Sequence, residues 1–160
     1  MLWIDKQVLQ SFNVTTAPRG RSFFTMTAHV YFLVVLLYLL PGLYVVSQGN
    51  WFFLIQISIM GGGGAVLGAI LKAIVKRPRP HNLVTYLGKA DSSFPSSHTL
   101  IAIGLAILDA ILLPSWYIAF FVVAILVGLG RMYTQMHYLT DVFGGAIIGG
   151  LCAALIIYFS

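Results

Sequence analysis

His137 and Asp141 stand four residues apart in the stretch GRMYTQMHYLTD, and Arg131 precedes the histidine by six. On a helical turn, residues four apart share a face, so the carboxylate can hold the imidazole in one tautomer, as an orienter holds a nucleophile or base. Arg131 adds a permanently charged planar fork that matches phosphate oxygens. Two polar clusters come earlier in the chain. Lys72 and Arg79-Pro80 lie in KAIVKRPRP, and Ser96, Ser97 and His98 follow Pro95 in FPSSH. Pro95-Ser96 reads as a helix start with Ser96 as N-cap, so the free N–H groups of that first turn make an anion site beside His98. Lys72, Arg79 and Arg131 against Asp141 leave two net positive charges with the histidines neutral, a balance suited to phosphate. Two His and one Asp could ligate zinc, but three fixed cations beside them would repel it, and the single cysteine, Cys152, offers no thiolate site. A surface that only binds headgroups accounts for the cations. It gives no reason for two histidines and an acid in the same place.

The elements that must position these residues are membrane helices. With 160 residues, 59% hydrophobic and 8% charged, the chain is too apolar for a soluble domain. A spanning helix needs roughly 20 mostly apolar residues, and the chain supplies five such segments, at about 22–46, 51–75, 97–113, 115–130 and 141–159. Pro41-Gly42 is expected to kink the first span, Pro78 and Pro80 to stop the second, and Pro114 to separate the third from the fourth. Residues 1–13 place Ile4, Val8, Leu9 and Phe12 on one side of a helix, interrupted by Asp5, with Trp3 suited to headgroup level. The expected architecture is all-α: one membrane-embedded domain over 1–160, with an interfacial amphipathic helix and linker at 1–21 and a bundle of about five transmembrane helices at 22–160.

Gly61 to Gly64 and Gly68 in the second span, and Gly144, Gly145, Gly149 and Gly150 in the fifth, form close-packing faces, so these two helices are expected to touch. His29 is expected to pack or to hydrogen-bond between helices, Asp109 to be solvated at the interface, and Tyr133 and Tyr138 to anchor at headgroup level. Counting membrane crossings puts all three polar clusters and all nine Lys and Arg residues on one side. The net charge of +5 fits acidic headgroups or an anionic substrate. With no basic helix and no aromatic-basic interleaving, nucleic acid is not an expected partner.

In this order the three blocks resemble the type 2 phosphatidic acid phosphatase family, whose membrane members are lipid phosphatases and whose soluble relatives include vanadium haloperoxidases and acid phosphatases. The pattern KxxxxxxRP is matched by Lys72, Arg79 and Pro80. PSGH is matched by Pro95, Ser96 and His98, with Ser97 in the glycine position, and SRxxxxxHxxxD by Arg131, His137 and Asp141, with Gly130 in the serine position. The resemblance covers about residues 51–159. Family members usually have six spans; here the short N-terminal helix would replace the first.

The resemblance implies that His137 attacks phosphorus and forms a phosphohistidine while Asp141 fixes its tautomer. His98 would protonate the leaving group and then activate water, and Lys72, Arg79, Arg131, Ser96 and Ser97 would hold the phosphate oxygens. It implies no cofactor and no required metal. The substrate would be a polyprenyl diphosphate, phosphatidylglycerophosphate, phosphatidic acid or lipid A 1-phosphate, met in the bilayer of a bacterial inner membrane by a site facing the periplasm or exterior. A bound phosphate is expected to keep His98 protonated and so to give a neutral-to-acidic optimum. The alternative is a transporter or scaffold that binds lipid phosphates without hydrolysis; it needs the cations but not the His137–Asp141 pair.

Overall fold

The computed structural model describes Ile4, Asp5, Gln7, residues 20–80 and residues 92–160, with side chains of the first helix from His29 onward. Among the described residues from Gly20 onward, five helices follow in order: α1 (Gly20–Ser47), α2 (Trp51–Val75), α3 (Ser97–Leu112), α4 (Tyr117–Tyr133), entered through a 3-10 turn at Pro114–Trp116, and α5 (Leu139–Tyr158). Among the described residues there is no strand. Four segments, His29–Ser47, Trp51–Val75, Pro114–Tyr133 and Leu139–Tyr158, are long and apolar enough to cross a bilayer. The fifth expected span is shorter. Pro114 ends α3 after 16 residues, about 24 Å against a hydrocarbon core of about 30 Å. Its position explains why this suffices, since α3 is the central helix and packs against α1, α2, α4 and α5.

One local feature lies outside the sequence expectation. α1 is helical through Pro41, and α2 carries an irregular turn, where Ile59–Gly63 widens into one π-helical turn. Three of its five residues are glycines, which meet no side-chain obstacle to the wider turn. The glycine-bearing helices α2 and α5 touch, as expected, at the π-helical turn, but Gly64, Gly68, Gly145 and Gly149 face α3. A Cβ at Gly64 would stand 3.0 Å from Leu100 Cδ2, and one at Gly68 would press on Ser97 Oγ. A Cβ at Gly145 would come within 2.6 Å of the Ser96 carbonyl oxygen, and one at Gly149 would strike the Leu100 carbonyl. With Leu100, Ala102, Gly104, Leu105, Ala106 and Leu108 all buried, α3 forms the middle of the core, and the flanking helices give up their side chains to reach it.

Several single-residue expectations change for the same reason. Asp109, on the central helix, is fully buried rather than solvated at an interface, and neither carboxylate oxygen has a hydrogen-bond partner among the described residues. Tyr133 is exposed as a headgroup anchor would be, whereas Tyr138 is buried. His29 lies on the exposed side of α1. Most of the expected interfacial helix over residues 1–13, Trp3 included, lies outside the described residues. Asp5 is described, and it is buried.

Candidate active site

The C-terminal end of α2, the N-terminal end of α3, the C-terminal end of α4 and the N-terminal end of α5 carry the three polar blocks. All three meet. The charges of Lys72, Arg79 and Arg131 act on both His98 and His137, so five of the eight sequence-identified residues lie near enough to one another to interact electrostatically.

Each reaches it by a distinct local device. Lys72 lies in the last turn of α2, which stops at Lys76 in a left-handed conformation (φ 48°). Pro78 and Pro80 keep the exit from returning to helix, and Arg79 Nη1 donates to the Met136 carbonyl at 3.2 Å. Arg131 is buried in the last turn of α4. Beyond it the chain folds back on itself: Thr134 Oγ1 donates to the Gly130 carbonyl (2.9 Å), Gln135 takes a positive φ of 53°, and the His137 N–H donates to the Arg131 carbonyl (3.3 Å). The spacing of six between Arg131 and His137 is thus spanned by a tight turn.

His137 precedes α5 and Asp141 lies in its first turn, so the two do not share a helical face. Asp141 Oδ2 accepts the Tyr138 N–H at 2.8 Å, capping the helix, and lies 3.8 Å from His137 Nδ1. The direct partner of Nδ1 is the Ser93 carbonyl, at 2.6 Å. A carbonyl only accepts, so Nδ1 carries the proton and Nε2 keeps its lone pair. Burial first, then the charges of Arg131, Arg79 and Lys72, hold the His137 imidazole well below the usual histidine range, against a smaller opposing effect of the Ser93 bond. The lowered pKa favours the neutral ring, with Nε2, its unprotonated nitrogen, opposite the histidine–carbonyl bond.

Ser96 and Ser97 stand at the start of α3 but have other contacts. Ser96 is fully buried; its N–H donates to the Asp141 carbonyl (3.0 Å), and its hydroxyl pairs with Thr99 Oγ1 (2.9 Å). Ser97 turns its hydroxyl toward Gly68, so the side chain that replaces the usual glycine fits where α2 lacks one. Gly130, in the usual serine position, lets α1 come close, since a Cβ there would lie 2.7 Å from Val30 Cγ2. The His98 ring packs edge-on against Tyr31, with centroids 4.7 Å apart.

Sequence reasoning missed Ser92, Ser93 and Arg77. Ser93 N donates to the Arg77 carbonyl (2.8 Å), Arg77 N donates to Ser92 Oγ (3.0 Å), and Ser93 Oγ donates to the Pro78 carbonyl (3.1 Å). This pairing holds the Ser93 carbonyl under His137. A backbone acceptor leaves no mark in residue type, but Arg77 had one, the repeated Arg-Pro of RPRP. Among the described residues no group of three His, Cys, Asp or Glu could hold a metal ion.

Comparison with known proteins agrees with this arrangement. The chain is 28% identical over 135 residues to phosphatidylglycerophosphatase B of Bacillus subtilis, covering 74% of this chain and 66% of that protein. It is 36% identical over 90 residues to undecaprenyl-diphosphatase of Sulfolobus acidocaldarius, covering 52% and 44%. With undecaprenyl-diphosphatase BcrC of Bacillus subtilis it shares 31% over 110 residues, covering 64% and 55%. It therefore spans less than two thirds of the length of each. Among solved structures, a transmembrane PAP2-type phosphatidylglycerolphosphate phosphatase from Bacillus subtilis superposes with a TM-score of 0.66 at 25% identity, over 97% of this chain and 83% of that one. Aquifex aeolicus LpxE shares the fold with a TM-score of 0.72 at 21% identity, over 99% of both chains. The sequence profile of the PAP2 superfamily matches residues 52–160, which hold all three blocks. An integral membrane bundle with those blocks at one end, matched over well more than half its length, belongs to the PAP2 superfamily.

Proposed function

We propose that the protein is a lipid phosphatase that hydrolyses a phosphomonoester or diphosphate headgroup through a phosphohistidine on His137. The observation that carries this is the Nδ1–H bond from His137 to the Ser93 carbonyl, which leaves a neutral Nε2 among three cations. Nε2 attacks phosphorus, the bond from phosphorus to the leaving oxygen breaks, and His98 gives that oxygen its proton. Water then attacks the phosphohistidine, His98 takes the proton, and inorganic phosphate leaves with Nε2 restored. Lys72, Arg79 and Arg131, with the free amides of the first turn of α3, hold the equatorial oxygens as charge develops. The Ser93 carbonyl and Asp141 stabilise the imidazolium formed on attack. Ser96 and Ser97 contribute through that backbone turn, with the Ser96 hydroxyl braced on Thr99. No metal takes part in this scheme, in keeping with a pocket whose fixed charges are cationic.

An apolar cleft supports a substrate with a hydrocarbon chain. Its volume is about 320 Å³ and its lining includes Val34, Tyr38, Gly61, Ile101 and Leu105. These residues descend from the site in helical register: Ile101 and Leu105 follow His98 on α3, Val34 and Tyr38 follow Tyr31 on α1, and Gly61 follows Lys72, Gly68 and Gly64 on α2. Tyr38 hydrogen-bonds Ser58 (2.9 Å) and joins α1 to α2 beside the cleft. Gly61→Leu fills this space and is expected to raise KM for a long-chain lipid phosphate about tenfold, the cost of about two unburied methylenes. KM for an analogue with the same headgroup and a chain of only about eight carbons should stay within twofold.

The relatives named above point to phosphatidylglycerophosphate and undecaprenyl diphosphate as the first substrates to test. Purified protein in chelator is expected to release phosphate from at least one of these, phosphatidic acid or lipid A 1-phosphate. Phosphate binding without release from any of the four would favour the transporter or scaffold. We place the active end on the periplasmic or exterior face of a bacterial inner membrane; its cations are accounted for by the phosphate site, so they do not argue for the cytoplasm.

A further inference from the structure

One charged cluster at this end of the bundle reaches beyond the matched positions of the three blocks. The Arg77 guanidinium sits over the Tyr138 ring, 4.3 Å from its centroid, and grips two carboxylates. Nη1 donates to Asp141 Oδ1 and Nη2 to Asp5 Oδ2, each at 2.6 Å. Thr140 ties the pair together. Its hydroxyl oxygen accepts from Nη1 at 2.6 Å, and its own O–H and N–H donate to Asp5 Oδ1 at 3.0 and 3.2 Å. Asp5 and Asp141 have no exposed surface, and Asp5 comes from outside the segment 52–160 that carries the family match.

We infer that Asp5 is a positioning residue for the reaction: it orients the Arg77 fork and cancels its charge, so that Asp141 keeps both its place and its negative charge for His137. The inference rests on the phosphatase function proposed above. Arg77, Asp5 and Asp141 together carry one negative charge, which is available to the imidazolium that forms when His137 attacks. Without Asp5 the cluster is neutral, and a guanidinium held at one end only can draw Asp141 away from a ring already 3.8 Å distant. At a buried site, both changes weaken the stabilisation of a developing cation more than they would in water. A contact that merely fastens the N-terminal segment would instead lower stability and leave turnover alone.

The test is a double-mutant cycle on the full chain, using the lipid phosphate that the wild type hydrolyses fastest, with Tm measured on every variant. Asp5→Asn is expected to lower kcat roughly tenfold with KM within twofold, and Arg77→Met to lower it comparably. Asp5→Asn/Arg77→Met, which again leaves one negative charge at Asp141, should be no slower than Arg77→Met alone. Asp5→Glu, which keeps the charge and reaches the fork, should restore most of kcat. Multiplying losses in the double variant would overturn the inference, because Asp5 would then act independently of Arg77. So would an Asp5→Asn protein with lowered Tm and unaltered kcat. Should Asp5→Asn not fold, Asp5→Glu decides: a folded variant at full kcat supports the inference, and one slowed tenfold overturns it. A wild type that releases no phosphate removes the phosphatase function and this inference together, whereas an active wild type with an unaltered Asp5→Asn removes the inference alone.

Discussion

His137→Ala is expected to abolish phosphate release, lowering kcat by at least about a thousandfold, because the covalent route loses its nucleophile. Binding of a non-hydrolysable phosphonate lipid should persist, since Lys72, Arg79 and Arg131 remain. Rapid acid-free quenching of the wild type with radiolabelled substrate should trap a phosphoenzyme that His137→Ala lacks. An aryl phosphate, whose leaving group needs no proton, separates the second histidine: His98→Ala should still form the phosphoenzyme and then release phosphate slowly. A His137→Ala protein with turnover within tenfold of the wild type would overturn the assignment.

The pH dependence follows from the same ring. Its folded pKa in the free protein lies well below the ordinary value near 6.5, so Nε2 stays unprotonated as the pH falls through 6.5 and the acid limb of kcat/KM is expected well below that value. Stability behaves oppositely. Below 6.5 the unfolded chain binds a proton that the folded ring does not, so His137 makes folding less favourable as the medium is acidified. An alkaline limb is expected from His98, which must take up its proton when the bound phosphate offsets the three cations around it. A rate still climbing at strongly alkaline pH would contradict that role.

Gly149→Leu is the second large effect, and it concerns the fold. Even a single Cβ at Gly149 would strike the backbone carbonyl of Leu100, and backbone in the central helix cannot turn aside as a side-chain tip can. Gly149→Ala should cost about 3 kcal/mol, at the upper end for overpacking, and Gly149→Leu should leave little folded protein in detergent. Gly62 is the contrast, with nothing within 4 Å of an added Cβ. Gly62→Ala should retain full activity and Tm within a few degrees. Equal losses at both positions would mean that general helix composition, rather than the α3–α5 approach, sets the effect. Tm and the folded yield from size-exclusion chromatography decide the matter.

Much of this molecule was legible without coordinates, for identifiable reasons. Apolar segments near 20 residues can only be membrane helices, because backbone N–H and C=O groups in hydrocarbon must pair within the segment. Counting their crossings brings Lys72, Arg79, His98, Arg131, His137 and Asp141 to one end, because a short turn after a spanning helix returns the chain to the other side. Glycine spacing announced close packing, but a missing side chain does not name its neighbour. The faces of α2 and α5 both met α3.

By itself the sequence determined the helical bundle and the end at which polar chemistry collects, and its three blocks carried the resemblance to the family. The bundle and its polar end follow from hydrophobicity and residue type, which are local properties of the chain. Only the tertiary structure decided which acceptor holds His137, that Arg77 bridges Asp5 and Asp141, and that Asp109 is buried rather than at an interface. Those outcomes depend on where distant backbone and side-chain atoms lie to within about an ångström, the tolerance of a hydrogen bond. Spacing along the chain carries no such information once a turn intervenes.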